Sequence, residues 1–375
     1  LGRAGQIDLL GGNKMDRRSF LKTSALGGSA VAATSLAAPA IAQGNTTLTM
    51  VTTWPRGLAG VWDSVERFSN NVTNMSGGSL TIDAKGAGEL VGALESFDAV
   101  TSGQADMYHG ADYYWVGQHP AWAFFTAVPF GMTAPEIMVW YYAQDGMALH
   151  HELGEVFGIK GFIAGQTAAQ GGGWYRNEIK SADDFKGLKF RMPGLGGQAL
   201  AELGASVQNI PGGEIYQALS TGALDGTEWI GPWSDEKLGL QEVCDHYYPA
   251  GFHEPGAALS VGCNLDVYNG LSAEHQEIIK VAAADAHQHN YAVFIANNGP
   301  ALQRLKDGGT QVHAFSDDVW DAFGSASKSV LDGFMDDELF AKIRNSVDAS
   351  MAATAGWVSQ SDGTYTAQRA RVTGS

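Results

Sequence analysis

The stretch KFRMPGLGGQA, residues 189–199, sets one arginine, Arg191, at the end of a short strand pattern, ahead of a Met-Pro step and three glycines. Two readings follow. Gly194, Gly196 and Ala199 fit a G-x-G-x-x-A turn opening a helix from Gln198 to Leu203, the pattern of a dinucleotide site. Such a site wants an acidic residue at the end of the next strand, and ASVQNIPGG offers Asn209 and Pro211 there instead. In the second reading the glycines let a helix lie close on a strand. That accounts for the glycines and leaves Arg191 in need of a partner from elsewhere in the chain.

Outward from this stretch the chain alternates strand and helix. TTLTMVTTW reads as a strand, and Val61, Trp62, Val65, Phe68 and Val72 recur at helical steps after Pro55. Thr133 and Pro135 start another helix as N-cap and first-turn proline. Alternation of this kind predicts an α/β fold built of βαβ units. KGFIAGQTAAQGGGWYRNEI reads as a strand broken by Gly171, Gly172 and Gly173, which suits a crossing between two lobes, and EWIGPWSDEK suits a second. Ser272 to Asp307 is one helical pattern of 36 residues, about 54 Å long at 1.5 Å per residue. It is long enough to span both lobes, and Gly299-Pro300 is expected to kink it. The expected division is a leader over 1–42, lobe I over 43–165 with 233–275 returning to it, lobe II over 166–232 with 276–336, and a helical tail over 337–375. From Asp317 onward Phe323, Val330, Phe334, Phe340, Ile343 and Trp357 form an apolar stripe with no evident lobe to cover it, so a second copy of the chain competes with the same protomer as its partner.

The leader is an address. From Met15 it carries Arg17-Arg18, then Ser-Phe-Leu-Lys, a mildly apolar Ala/Gly/Ser stretch and Ala40-Ile41-Ala42, the layout of a twin-arginine signal peptide cut after Ala42. The stretch is too short and too rich in small residues for an anchor across roughly 30 Å of hydrocarbon. Residues 1–14 precede Met15 and carry no reading. The whole chain has a formal charge of -17, and since residues 1–42 hold five basic and two acidic residues, the remainder carries -20. A surface so acidic repels nucleic acid and anionic lipid. Cys244 and Cys263 could bridge in an exported chain, or stay reduced if the chain folds before export. The histidines lack metal spacing: His287 and His289, two apart, point to different faces of a helix, and His150 and His151 are adjacent.

Arg191 lies just beyond one crossing, Gln170 just before the glycines, and Glu228-Trp229 at the second crossing, so these residues meet at a hinge cleft. Gln170 could instead cap a strand end, and Glu228 could merely pair with Arg191. The order and spacing of KFRMPGLGGQALAELGASVQNIPGGEIYQALSTGALDGTEWIGP, with AVPFGM, GGWYRNEI, DDFKGLKFRMPG and YYPAGFHEPG, resemble the TRAP transporter solute-binding proteins, in the branch that takes 2-oxo acids and lactate. The resemblance covers the chain beyond its leader, and it implies a two-lobed periplasmic receptor that hands its ligand to an ion-driven membrane permease. It also implies that Arg191 binds a carboxylate, that Gln170 and Glu228 hold a sodium or calcium ion with the Trp229 carbonyl, that Tyr113, Tyr114 and Trp115 belong to the part that closes over the ligand, and that C-terminal helices are exchanged in a homodimer. Gln166, in AGQTAAQ, departs from that branch. The chemistry is coherent on its own terms: a planar guanidinium grips a carboxylate with two parallel bonds, and a 2-oxo or 2-hydroxy acid has a second oxygen with which to chelate a hard cation. The competing readings are an exported NAD-dependent oxidoreductase and a binding protein that feeds a sensor.

Overall fold

In the computed structural model the described residues are 45–374. The twin-arginine leader expected over residues 1–42 lies outside them. Among the described residues the strands form two sheets. The first has the order β2-β1-β3-β10-β4, from β1 (Thr46–Thr52), β2 (Leu80–Lys85), β3 (Met107–Gly110), β4 (Ile159–Gln166) and β10 (Ala258–Asn264). The second has the order β11-β9-β5-β8-β6-β7, from β5 (Gly173–Tyr175), β6 (Lys189–Arg191), β7 (Ser206–Gln208), β8 (Gly226–Thr227), β9 (His246–Tyr248) and β11 (Gln311–Val312). In each sheet a parallel trio, β2-β1-β3 or β7-β6-β8, is joined to an antiparallel strand, β10 or β5. Parallel strands covered by helices read as apolar runs. All four residues of β3 are buried accordingly.

The chain passes between the sheets three times: from β4 to β5 through 167–172, from β9 to β10 through 249–257, and from β10 to β11 through 265–310; at the crossing expected near 228–231 it leaves β8 for the helix Pro232–Leu238 and then returns to the same sheet at β9. The stretch 233–275, expected to return whole to the first lobe, is therefore shared, with β9 in the second sheet and β10 in the first. The long helix Ala273–Asp307 starts at Ser272, whose hydroxyl accepts from the His275 amide, and runs unbroken through Gly299-Pro300. It lies along β4 and the helix Val61–Met75 and reaches the helix Pro232–Leu238, where Phe294 meets Trp233. Asn290 anchors it to the first lobe, giving a hydrogen bond to the Gly60 carbonyl at 2.7 Å and accepting one from the Gln166 amide at 2.9 Å. Only at β11 does the chain rejoin the second sheet.

The tail is housed for most of its length, contrary to the expectation that its stripe lacks a lobe. Phe323, on the helix Asp317–Asp332, stacks on Phe252 at 3.9 Å. On the helix Glu338–Val358, Phe340 and Ile343 are buried, Phe340 meets Phe124 at 5.0 Å, and Trp140 donates to the Ser346 hydroxyl at 3.0 Å. The Glu338–Val358 helix covers the first lobe of its own protomer, while Phe323 also meets Phe185 of the second lobe at 5.2 Å. Trp357, Tyr365 and Val372 stay exposed, Trp357 at 74%. Cys244 and Cys263 are both free and buried, one just before β9 and the other within β10, on different sheets. No described helix is long and apolar enough to cross a membrane.

Candidate functional site

The connecting segments 167–172, 228–231 and 249–257 deliver polar side chains to one buried cluster around Arg191. Arg191 ends β6, held in register between Gln208 of β7 and Thr227 of β8. Pro193 lacks the amide to continue the strand, and the helix Gly194–Glu202 begins at once. The glycines serve packing: a Cβ at Gly197 would stand 2.3 Å from the Met192 carbonyl oxygen, and one at Gly196 would stand 2.6 Å from the His253 Cβ. Gly194 lies under Tyr113. The turn thus brings the helix down onto its own strand and onto two side chains of the cluster, which is the second of the two sequence readings.

Arg191 is fully buried. Its Nε donates to the Ile210 carbonyl at 3.1 Å, Nη1 pairs with Glu228 Oε1, and Nη2 reaches the Tyr114 hydroxyl only at 3.4 Å. The Trp229 ring lies 5.4 Å from the guanidinium carbon, within cation–π range. Burial disfavours the charge, but Glu228, Tyr114 and Tyr113 outweigh it and hold Arg191 above its usual range. Glu228 is spent on partners on both sides, Oε1 on Arg191 and Oε2 facing His253 Nε2 at 3.3 Å.

Gln170 sits in the first crossing. Its amide nitrogen atoms are used, the backbone N–H to the Glu254 carbonyl and Nε2 to the Thr167 hydroxyl, while Oε1 is buried without a partner. Two residues before it, Ala168 takes a positive φ of 63°, a conformation that costs a non-glycine residue about 1 kcal/mol or more. Gln166 braces that turn by accepting from the Ala168 amide at 3.1 Å. The residue that departs from the branch therefore has a local structural task.

The passage from β9 to β10 supplies what the sequence reading missed, His253 and Glu254. Glu254 is 2% exposed, and neither carboxylate oxygen has a hydrogen-bond partner among the described residues, Oε1 standing 4.0 Å from His253 Nε2. Burial first, and then the charge of Glu228, pushes its carboxyl well above the usual range, with Arg191 opposing and Tyr113 acting least. A buried acid without partners is expensive. Ligand atoms of Glu228, His253 and Glu254 all lie within 4.8 Å of one another, the one such acidic or histidine trio among the described residues. With Gln170 Oε1 also unpartnered, the donors here are mainly hard oxygen, suited to sodium or calcium. The only signal in the sequence was the ionisable pair His-Glu inside GFHEPG, between glycine and proline.

Tyr113 and Tyr114 come from the first lobe and line the cavity with Trp54, Thr167, Gln170 and Trp229. Its free space is only about 10 Å³, so a ligand needs the lobes or the side chains to part. Trp115 is not in this group: it turns into the first lobe, against Phe97 at 5.4 Å and Tyr108 at 5.7 Å. A larger hollow of about 280 Å³ between Glu236, Asp245 and Arg304 lies at the far end of the long helix. There Arg304 is already paired with Glu236 at 2.6 Å on the surface, and among the lining residues only Gln241 Oε1 is a buried polar atom without a partner.

The family model of the bacterial extracellular solute-binding proteins, family 7, matches residues 58–338. A monocarboxylate 2-oxoacid-binding periplasmic protein from a Nostoc species is 42% identical over 313 residues, covering 82% of this chain and 86% of that protein. Among solved structures, a TRAP periplasmic solute-binding protein from Pseudoalteromonas atlantica, with bound sodium and pyruvate, is 37% identical with a TM-score of 0.83, covering 86% of this chain and 98% of its own. Another from Bordetella bronchiseptica is 31% identical with a TM-score of 0.85, covering 87% and 97%. It is a mixed-occupancy dimer with calcium and picolinate in one active site.

Proposed function

Since the chain belongs to family 7 of the bacterial extracellular solute-binding proteins, we propose that it is the periplasmic receptor of a TRAP transporter and closes on a small 2-oxo or 2-hydroxy monocarboxylate together with a sodium or calcium ion. Its work is binding, not catalysis, as it is for the family. The observation that carries the ligand class is one buried guanidinium beside buried oxygens that make no hydrogen bond, Gln170 Oε1 and both oxygens of Glu254.

In this reading Arg191 takes the ligand's carboxylate on its Nη2 edge, where the existing contact to Tyr114 is long. Gln170, the Trp229 carbonyl and Glu254 hold the cation. Glu228, expected from the sequence as a cation ligand, serves instead as the buried counter-charge of Arg191, because both its oxygens are engaged. Tyr113 and Tyr114 close the first lobe over the ligand, with Trp115 supporting them from the core. The receptor is exported through its twin-arginine leader, pairs as a homodimer through the exposed end of its tail, and delivers ligand to membrane permease subunits.

A thermal-shift screen tests this on protein refolded to remove carried-over ligand. Pyruvate and lactate should raise the melting temperature, and a chelator in sodium-free buffer should remove the effect. A ligand at a hundred times its Kd adds about 2.7 kcal/mol. Stabilisation by a sugar or an amino acid and by no carboxylate would show that the ligand class is wrong.

A further inference from the structure

Resting on the cation reading above, we propose that Asp235 is the positioning residue of the cation site, fixing the direction of the Trp229 carbonyl without touching the ion. Asp235 is buried in the first turn of the Pro232–Leu238 helix. Its Oδ1 accepts from two successive backbone amides, Ile230 at 3.0 Å and Gly231 at 2.9 Å, and its Oδ2 accepts from the Trp174 indole at 2.9 Å.

The consequence follows from peptide planarity. The Trp229 carbonyl and the Ile230 N–H belong to one peptide unit, and no described peptide bond is cis, so the two point in opposite directions. An N–H drawn to Asp235 turns the Trp229 carbonyl away from it. The next unit repeats the arrangement, since the Gly231 N–H goes to the same oxygen and the Ile230 carbonyl points away. That second carbonyl accepts from the Gly171 N–H at 3.0 Å, and Gly171 follows Gln170. The Ile230 carbonyl thus emerges on the side of the Gln170 crossing, and the Trp229 carbonyl is turned away from Asp235. Turning either unit would strand a buried N–H, which costs about 1–3 kcal/mol. The same helical turn also holds the Trp229 ring, whose indole donates to the Ser234 hydroxyl at 2.9 Å. A carboxylate behind the amide further draws electron density toward the carbonyl oxygen, as partners behind a metal ligand do.

Calorimetric titration of calcium into the full chain with saturating pyruvate tests the assignment. Asp235→Ala should weaken calcium at least tenfold. Asp235→Asn with Trp174→Phe restores an acceptor for the two amides and removes the donor that would oppose the new amide, and it should return the affinity to within threefold of the parent. Should Asp235→Ala not fold, Asp235→Asn alone decides, with calcium expected to weaken three- to tenfold and pyruvate affinity at saturating calcium unchanged. Folded variants that bind calcium like the parent overturn the proposal. A parent that binds pyruvate with no need of a cation overturns the cation site itself, and the role of Asp235 with it.

Discussion

At the scale of single residues the site divides its charges by task, and the division is testable because two neighbouring acids should respond oppositely. Glu228 is occupied by Arg191 and His253, whereas Glu254 makes no hydrogen bond and reaches His253 Nε2 only at 4.0 Å. Glu254→Gln keeps the shape and removes the charge that favours a cation. Ligand affinity in calcium should fall about ten- to a hundredfold, as the loss of a charged interaction of about 1.5–3 kcal/mol implies, and the dependence on added cation should flatten. Glu228→Gln removes the acid that competes for Arg191, so carboxylate affinity should hold or tighten with cation dependence intact. Calorimetry with and without calcium reads both, and the reverse pattern would give the cation to Glu228. Arg191, Gln170 and Trp229 were legible in the sequence because each stands beside a visible break in a strand. Glu254 was not, since a lone acid beside a histidine gives no periodicity and its meaning lies in being buried.

At the scale of elements, the miss of Glu254 has a topological cause. β9 is three residues long and pairs with β5 and β11, far off in sequence, so nothing local marks Tyr248 to Ala258 as a passage between sheets. The long helix, by contrast, was readable nearly to the residue from Ser272 to Asp307, because a serine cap and a long run of helix-forming residues are local signals. The tail shows the limit of a stripe read alone. Phe340 and Ile343 are apolar on the same face as Trp357, yet only the first two meet a lobe of their own chain. A cut before Asp337 would therefore strip the first lobe of its cover, while a cut after Ala355 leaves Phe340, Ile343 and Val347 in place. We expect the chain ending at Ala355 to sediment as a folded monomer and the full chain as a dimer. A full-length monomer at micromolar concentration would remove the tail from the interface.

At the scale of the whole molecule, acid response is set by groups that burial has detuned in opposite senses. His287 is buried in the long helix against the Tyr142 hydroxyl at 2.8 Å and is lowered to about 4 by burial, and His109, between Trp54 and Ser64, is lowered to about 3. Both stay neutral in the fold, while the unfolded chain protonates them below about pH 6.5. Their contribution is full above that value and is lost as pH falls toward 3–4. Asp235, pushed up to about 7 chiefly by burial, acts the other way, present below about 3.9 and lost as pH rises through 7. Urea unfolding of His287→Gln isolates one of these. Relative to the parent, the variant should gain about 1.4 kcal/mol per pH unit between 6.5 and 4, and a difference that stays constant with pH would mean that His287 is protonated in the fold. The two cysteines carry a different kind of information. Reaction with thiol reagents needs the thiolate, and burial pushes Cys244 up to about 12 and Cys263 higher still. The native chain is therefore silent to alkylation, and it needs no oxidant to finish folding. Because Cys263 lies in the first sheet and Cys244 just ahead of β9 in the second, the rate at which each is modified clocks the opening of its own half, so the protein carries two separate unfolding timers with no label added.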